Sequence, residues 1–222
     1  MIGVLPNQEI EKLIKIGAIS SDVPIESEQI QPASLDMRLG SKAFRIRASF
    51  LPGNREKVEE RLKSLQMHEI DLRGGAVLEK GCVYLVPLLE VLKLPTDIQA
   101  AANAKSSTGR LDLLTRTITD SGEEFDRISS GYRGKLYAEI CPRSFSVLVR
   151  TGMKLNQIRF RNKNTTLNDE SLKALHAKEK LVPGDAIIDD GLGFSVDLQP
   201  SHGNLVGYRA KPHTGIIDLD LI

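Results

Sequence analysis

Three short segments of the sequence hold side chains that bind phosphate or transfer protons. The first, Lys105–Arg110 (KSSTGR), combines two cations, three hydroxyls and a glycine within six residues, directly after a β-type segment. Guanidinium forks, hydroxyls and closely spaced backbone N–H groups are suitable donors for a polyphosphate. The composition predicts an anion-binding turn, and the alternative is an ordinary polar turn.

The second segment, Gly131–Glu139 (GYRGKLYAE), is a glycine-bounded turn that leads into a strand with one carboxylate. Side chains alternate across a strand, so Glu139 shares a face with Tyr137 and Lys135, while Ala138 lies among apolar neighbours on the other. A partly buried carboxylate in a pocket is suited to proton transfer. The alternative is a surface glutamate.

The third segment, Gly152–Phe160 (GMKLNQIRF), is a glycine turn followed by a strand that carries Gln157. The amide of Gln157 can donate to a phosphate or a base. A strand with one glutamine is commonplace, so this segment is informative only together with the other two.

Other chemistries lack their motifs. Zinc nucleobase deaminases require H-x-E and P-C-x-x-C, and neither occurs, which disfavours a zinc mechanism. The sequence also lacks G-x-x-x-x-G-K-[ST] and G-x-G-x-x-G. The histidines show no metal-ligand spacing and are predicted to lie on the surface or in loops: His68, His176, His202 and His213.

Composition excludes several broad classes. With 222 residues, 30 Lys+Arg and 29 Asp+Glu, the chain has no bulk basic field for nucleic acid. There is no tryptophan, aromatics make up 5%, and no apolar run is long enough to cross a membrane. Cys82 and Cys141 are far apart and outside any C-x-x-C, which favours a reducing cytoplasm and argues against a disulfide or a catalytic thiol.

Short strands must position these segments. A helix is predicted over 7–16, capped by Asn7 and stopped by Gly17, and a half-buried strand within 31–44 that ends at Gly40. A surface helix is expected within 54–66. Further strands are predicted at Ala76–Leu78, Val83–Pro87, Leu89–Leu94, Ile98–Ala102, Leu113–Thr119, Lys135–Ile140, Phe145–Val149 and Leu155–Arg161, a spacing typical of a sandwich or barrel.

The sequence changes character over 162–184. There it predicts a helix capped by Asn168 or Asp169, with Leu172 and Leu175 facing inward. Beyond Asp185, glycines and prolines separate further predicted strands.

Taken in order, five segments resemble the dCTP deaminase family of the dUTPase-like superfamily: QPASLDMRLG (31–40), KSSTGRLDL (105–113), GYRGKLYAE (131–139), GMKLNQIRF (152–160) and Tyr208-Arg209. The resemblance implies a mainly β, distorted barrel or jelly-roll with a few short helices. It implies one domain over 1–222, with a core at 7–161 and a helical insertion, strands and lid at 162–222. It also implies a homotrimer with active sites between subunits. The last residues, IIDLDLI (216–222), end on an apolar strand pattern without a polar trailer, so the sequence is expected to be truncated or the N-terminal part of a longer duplicated form.

The resemblance also implies the roles of the site residues. Glu139 is the expected base that activates water for attack at cytosine C4, Ser106 positions that water or the leaving amine, and Arg110 completes the catalytic set. The expected substrate contacts are Lys105, Ser107, Thr108, Gly109, Asp120, Tyr137, Ala138, Gln157, Tyr208 and Lys211. Lys105 stands where arginine is usual, which keeps the charge but loses the fork. Mg²⁺ is expected to arrive with the triphosphate, and no zinc is expected.

Two departures from the family pattern bear on specificity. Ser129 stands where the family usually has an aspartate for the sugar, and Asp120 and Asp126 are the candidate substitutes. Residues 121–126 (SGEEFD) form an insertion beside the expected base pocket. The competing functions are dUTP diphosphatase, alone or combined with deamination, and a catalytically silent domain that binds nucleotide or assembles subunits.

Overall fold

The computed structural model describes residues 3–163, 166–199, 203, 205–211 and 214–221. The strands are β1 (Gly3–Val4), β2 (Ile19–Ser20), β3 (Ile30–Gln31), β4 (Ser34–Arg38), β5 (Lys42–Ile46), β6 (Gln66–Asp71), β7 (Ala76–Leu78), β8 (Val83–Lys93), β9 (Ile98–Ala104), β10 (Leu113–Thr119), β11 (Arg127–Ile128), β12 (Arg133–Pro142), β13 (Val147–Val149), β14 (Lys154–Asn162) and β15 (Ile217–Asp218). The helices are α1 (Asn7–Lys15), α2 (Val58–Leu65), α3 (Ser106–Arg110) and α4 (Asp169–Glu179), with 3₁₀ turns at Ser27–Gln29 and Leu219–Leu221.

The strands form three open sheets. The first has the order β11-β9-β14-β4-β3, with β1 on β14; the second has the order β10-β12-β8-β5-β6, with β2 on β8. A third small sheet has the order β15-β13-β7. The predicted mainly β fold is confirmed, and the sheets pack on one another instead of closing into a barrel.

The main core takes side chains from both large sheets, such as Leu35 and Phe160 from the first and Ala138 and Ile140 from the second. A second apolar cluster covers the other face of the second sheet, where Val58 and Leu62 of α2 pack against Leu85, Ile118 and Tyr137. Tyr137 and Glu139 are two positions apart on β12 and therefore share a face, so this second cluster lies on the face that carries Glu139. Helix α2 therefore covers the neighbourhood of the predicted base.

Contacts divide the described chain into two compact units. One comprises residues 3–163 and 214–221, and the other comprises 166–199, 203 and 205–211. In the second unit, Asn168 caps α4 by accepting a hydrogen bond from the N–H of Ser171 at 2.9 Å. Leu172 and Leu175 are half-buried.

The strands predicted after Asp185 are wrong for most of that stretch. Among the described residues it forms one isolated bridge, Ile188–Leu192, and the short β15. Phe194, Val196 and Leu198 alternate at strand spacing, but each is at least 74% exposed. Alternation alone does not make a strand, because the backbone also needs a partner strand.

The start of α1 and the reading of β8 also differ from prediction. Pro6, without a side-chain hydrogen bond, occupies the N-cap position, and Asn7 is already helical. Gly17 ends the turn with a φ of 72°, as predicted. Val83–Lys93 is one strand and not two, because Pro87 lies where the β8–β12 ladder shifts register and its missing N–H is tolerated.

Strand β4 is buried on both faces, whereas the alternation predicted a half-buried strand. Arg38 donates from Nε to Oε1 of Glu90 at 2.8 Å, and its backbone N–H donates to Oε2 at 2.8 Å. Gln29 donates to the same Oε1 at 2.9 Å. Polar side chains therefore enter the interior as a hydrogen-bonded network, and sequence alternation does not reveal such pairing.

None of the helices in the described ranges is long and apolar enough to cross a membrane.

Candidate functional site

Glu139 lies on β12 in the interior of the second sheet, opposite Arg116 on β10 and Leu85 on β8. Its side chain is 2% exposed. Arg116 donates from Nε and Nη2 to Oε1, at 3.2 and 2.5 Å. Oε2 is buried without a hydrogen-bond partner among the described residues. One carboxylate oxygen is therefore held by a cation, and the other has a free lone pair that can accept a proton.

Arg116 was not among the residues picked out from the sequence. Besides binding Glu139, its Nη2 donates to Oγ of Ser49 at 3.0 Å, and its guanidinium lies 3.7 Å from the ring centroid of Phe125. The signal that could have found it is a single arginine in the otherwise uncharged strand LLTRTIT (113–119). A charge within such a strand needs a partner, and the directly opposite residue on β12 supplies it.

Tyr137 and Ala138 occupy opposite faces of β12, as predicted. Ala138 is fully buried in the main core, between Val86 and Thr117 in the strand ladder. Tyr137 is also buried, and its hydroxyl lies 3.4 Å from Oε1 of Glu59, which accepts from Lys135 at 2.7 Å. The lysine beside Glu59 lowers the pKa of that carboxyl.

The first part of the predicted anion turn forms a cleft with the third sequence segment. Lys105 pairs through Nζ with the buried carboxylate of Asp36. Asp36 faces Gln157 across the β4–β14 ladder. Together with Gln31 and Ser106, these side chains line a cleft of about 160 Å³. Lys105 and Gln157, which are 52 positions apart in the sequence, therefore line one cleft, and Asp36 is a partner that the sequence did not reveal.

The rest of the turn is divided between interior and solvent. Thr108 is buried and donates its hydroxyl to the carbonyl of Leu155 at 3.2 Å, which anchors α3 to β14. Ser107 lines a second cleft of about 170 Å³ with Lys105 and Lys154. Ser106, Gly109 and Arg110 are exposed. Glu139 belongs to the second sheet, whereas the Lys105–Gln157 cleft borders the first. Within one chain, the predicted general base and this cleft therefore lie on different sheets.

The candidate sugar-binding aspartates have structural partners. Oδ1 of Asp120 accepts from the N–H of Val58 at 2.9 Å, which caps α2. Oδ1 of Asp126 accepts from the N–H of Thr117 at 2.7 Å. Ser129 is exposed and lines a cleft of about 370 Å³ that Asp120 also borders. The sugar role predicted for Asp120 stays a prediction.

Tyr208 and Lys211, the predicted lid residues, are exposed in the second unit, Tyr208 by 93%. Of the histidines, His68 is exposed and His176 is half-buried, while His202 and His213 lie outside the described residues. Across the described ranges, no group of three or more His, Cys, Asp or Glu is placed to hold a metal ion.

Asp126→Asn is expected to stabilise the protein near neutral pH. Burial raises the pKa of Asp126. An acid with a raised pKa in the folded state is ionised there at a cost relative to the unfolded chain. Asparagine keeps the oxygen that accepts from Thr117 and suits the left-handed φ of 62°. Thermal unfolding should show an increase in Tm at about pH 7 that shrinks as pH falls towards the ordinary aspartate pKa of about 3.9.

Asp126→Ala is the matched control, because it also removes the desolvated charge. It leaves the N–H of Thr117 unpaired and places a Cβ without a polar group at a left-handed position, so it should lower the Tm at every pH. If the Tm of Asp126→Asn falls at neutral pH and recovers in acid, ionised Asp126 stabilises the folded protein, which contradicts the raised pKa.

The described residues thus combine open, packed sheets, a buried carboxylate on a strand, and an anion-type turn beside a strand that carries a glutamine. A family model of the 2′-deoxycytidine 5′-triphosphate deaminase N-terminal domain matches residues 1–164, and a model of the C-terminal domain of the same family matches residues 168–222. The chain belongs to the 2′-deoxycytidine 5′-triphosphate deaminase family.

Solved and curated proteins agree with this assignment. The crystal structure of 2′-deoxycytidine 5′-triphosphate deaminase from Agrobacterium tumefaciens is 49% identical, with a TM-score of 0.88 over 99% of this chain, and this chain spans 66% of that one. The dUMP-forming dCTP deaminase of Methanoculleus marisnigri is 32% identical over 71% of this chain and 79% of its own. The dCTP deaminase of Haemophilus influenzae Rd is 32% identical over 61% of this chain and 70% of its own.

Proposed function

We propose that the chain deaminates dCTP at cytosine C4 by hydrolysis, with Glu139 as the proton-transfer group. The observation that carries the proposal is the state of the Glu139 carboxylate: Oε1 is held by Arg116, and Oε2 is buried without a partner among the described residues. A desolvated carboxylate with one free oxygen is suited to taking a proton from water. Family membership supplies the substrate class.

The carboxylate of Glu139 can carry out both proton transfers at water and at the amine. Oε2 takes a proton from water as the water oxygen bonds to C4, which gives a tetrahedral centre. The carboxylic acid then returns that proton to the exocyclic nitrogen, the C4–N bond breaks and ammonia leaves. The proton of the remaining C4 hydroxyl passes to ring N3, which gives the carbonyl of uracil. Hydrogen bonds to the base must stabilise the negative charge that develops at the ring. The net change is one water consumed and one ammonia released.

We assign the triphosphate to the turn and the glutamine strand. Lys105, Ser106 and Gln157 already share a cleft, and Ser107 lies beside it. The charge of Lys105 is partly neutralised by Asp36, so Arg110, exposed and unpaired among the described residues, is the main remaining cation of the turn. Mg²⁺ accompanies the triphosphate as its counter-ion.

The working form in this proposal is a homotrimer with sites between subunits. Its support is that Glu139 and the Lys105 cleft belong to different sheets of one chain, while Ser106 and Arg110 project into solvent. The turn of one subunit would then complete the base site of a neighbour, and Tyr208 and Lys211 would close over the nucleotide. The enzyme would act in the cytoplasm, in pyrimidine deoxynucleotide metabolism.

The product we propose is dUTP. Some relatives carry the name dCTP deaminase and others the name dCTP deaminase, dUMP-forming. Ser129 offers no carboxylate beside the sugar to arrange a second water for phosphate hydrolysis. Deamination alone is therefore favoured over combined deamination and diphosphate release.

A catalytically silent nucleotide-binding domain is the second candidate. The observation that favours it is the near-complete burial of Glu139 behind Arg116. In that case the Arg116–Glu139 pair would be structural, and nucleotide would bind without reacting.

Ammonia release from dCTP with Mg²⁺ separates the candidates, when nucleotides are followed by chromatography and oligomeric state by light scattering. Ammonia with dUTP supports the proposal, and ammonia with dUMP and pyrophosphate adds the diphosphatase step. A folded trimer that binds dCTP without releasing ammonia supports the silent domain.

A further inference from the structure

Glu139 is almost completely closed off from solvent. Arg116 donates to its Oε1 and is itself 29% exposed, so this contact reaches the surface. The guanidinium is held in turn by Ser49 and by the ring of Phe125. For the proposed reaction, a water must come within about 2.6–3.2 Å of the carboxylate, and the pyrimidine base must lie beside that water. A carboxylate that is 2% exposed cannot admit both unless a neighbouring group moves.

Phe125 comes from the insertion at residues 121–126, which the proposed chemistry does not use. The insertion is tied to the loop before α2: Ser121 donates its N–H to the carbonyl of Glu56 at 3.0 Å, and Gly53 donates to the carbonyl of Gly122 at 3.1 Å. At its far end Asp126 binds the N–H of Thr117, next to Arg116 in β10. Both ends of the insertion are therefore fixed, and its ring is held against the guanidinium.

We propose that Arg116 and Phe125 form a latch over Glu139, and that the substrate must open this latch to reach the carboxylate. The inference rests on the proposed deamination, and it gives the insertion a role in controlling access. Stacking on the aromatic ring favours the closed position of Arg116, so the strength of that stacking sets how often the carboxylate is reachable.

Two substitutions of Phe125 change the strength of its contact with Arg116 in opposite directions. Phe125→Leu keeps an apolar side chain against the second cluster but removes the aromatic face, and Phe125→Trp offers the face that binds cations best. Cation–aromatic contacts at partly exposed sites correspond to about a two- to fivefold change in an equilibrium. The leucine variant should populate the open latch by that factor more, and the tryptophan variant less.

Modification of Glu139 measures the latch without any turnover. The nucleotide-free protein is treated with a water-soluble carbodiimide and glycinamide, and the rate at Glu139 is read by peptide mass spectrometry against exposed Glu11 as internal standard. We expect the rate to rise about two- to fivefold in Phe125→Leu and to fall in Phe125→Trp. Circular dichroism spectra and Tm values of the variants show that both are folded.

Activity on dCTP is measured on the same samples. The latch predicts that kcat/KM follows the order of modification rates: leucine, wild type, tryptophan. If the modification order holds while no sample turns over dCTP, the latch stands and the proposed function fails. If folded Phe125→Leu modifies Glu139 no faster than the wild type, or loses activity while its modification rate rises, the latch is overturned.

Discussion

Glu139→Gln is expected to lower the turnover of dCTP by about 10²- to 10⁴-fold, the range that general acid–base groups supply. Glutamine has nearly the same volume and keeps an oxygen that can accept from Arg116, but its neutral amide cannot take a proton from water. The variant should therefore remain folded and bind dCTP. Steady-state ammonia release gives kcat, and calorimetric titration gives the Kd.

The matched control is Glu59→Gln. Glu59 is a carboxylate beside the face of β12 that carries Glu139, and Lys135 lowers its pKa. It takes no part in the proposed proton transfer. Its substitution should leave kcat within about twofold, since an exposed ion pair contributes little. Equal losses in the two variants would show that general disturbance of the α2 side, and not the loss of a base, causes the effect.

Glu90→Ala is expected to cost about 3–5 kcal/mol of unfolding free energy, because it leaves the buried guanidinium of Arg38 without its counter-ion. Arg38 and Glu90 are 3% and 1% exposed at their side chains, and Glu90 also accepts from Gln29. Chemical denaturation followed by circular dichroism is the suitable measurement, since the chain has no tryptophan.

Glu69→Ala is the control for this second prediction. Glu69 pairs with Lys42 at 2.7 Å, but both side chains are largely exposed, so the loss should stay below about 1 kcal/mol. The double variant Arg38→Met/Glu90→Leu removes both charges and should recover part of the loss. Similar values for Glu90→Ala and Glu69→Ala would mean that the buried network does not stabilise the fold as described.

The strands could be read from the sequence wherever local pattern and turns agree. Ala76–Leu78 and Leu113–Thr119 were predicted with both ends correct. The failures arise where pairing decides the outcome. Pro87 is tolerated because of a register shift against β12, and the apolar alternation at Phe194–Leu198 has no partner strand among the described residues. Register and partner choice are set by contacts distant in sequence, which local pattern does not encode.

The site shows the same division. Composition and family resemblance picked out Glu139 and the Lys105–Arg110 turn, whose roles stay predictions. Their partners were missed, since Arg116 and Asp36 lie 23 and 69 positions away along the chain. Such charges meet only after the strands pair, and one charged residue in a β segment does not identify its counterpart.

Oxygen isotope transfer tests the central claim most directly. The wild-type protein is given dCTP and Mg²⁺ in H₂¹⁸O, and the uracil base of the product is analysed by mass spectrometry apart from its phosphates. Hydrolysis at C4 predicts one ¹⁸O in the base for each ammonia released, with both signals lost in Glu139→Gln. A base without ¹⁸O, or label and ammonia that persist unchanged in Glu139→Gln, would contradict attack by a Glu139-activated water.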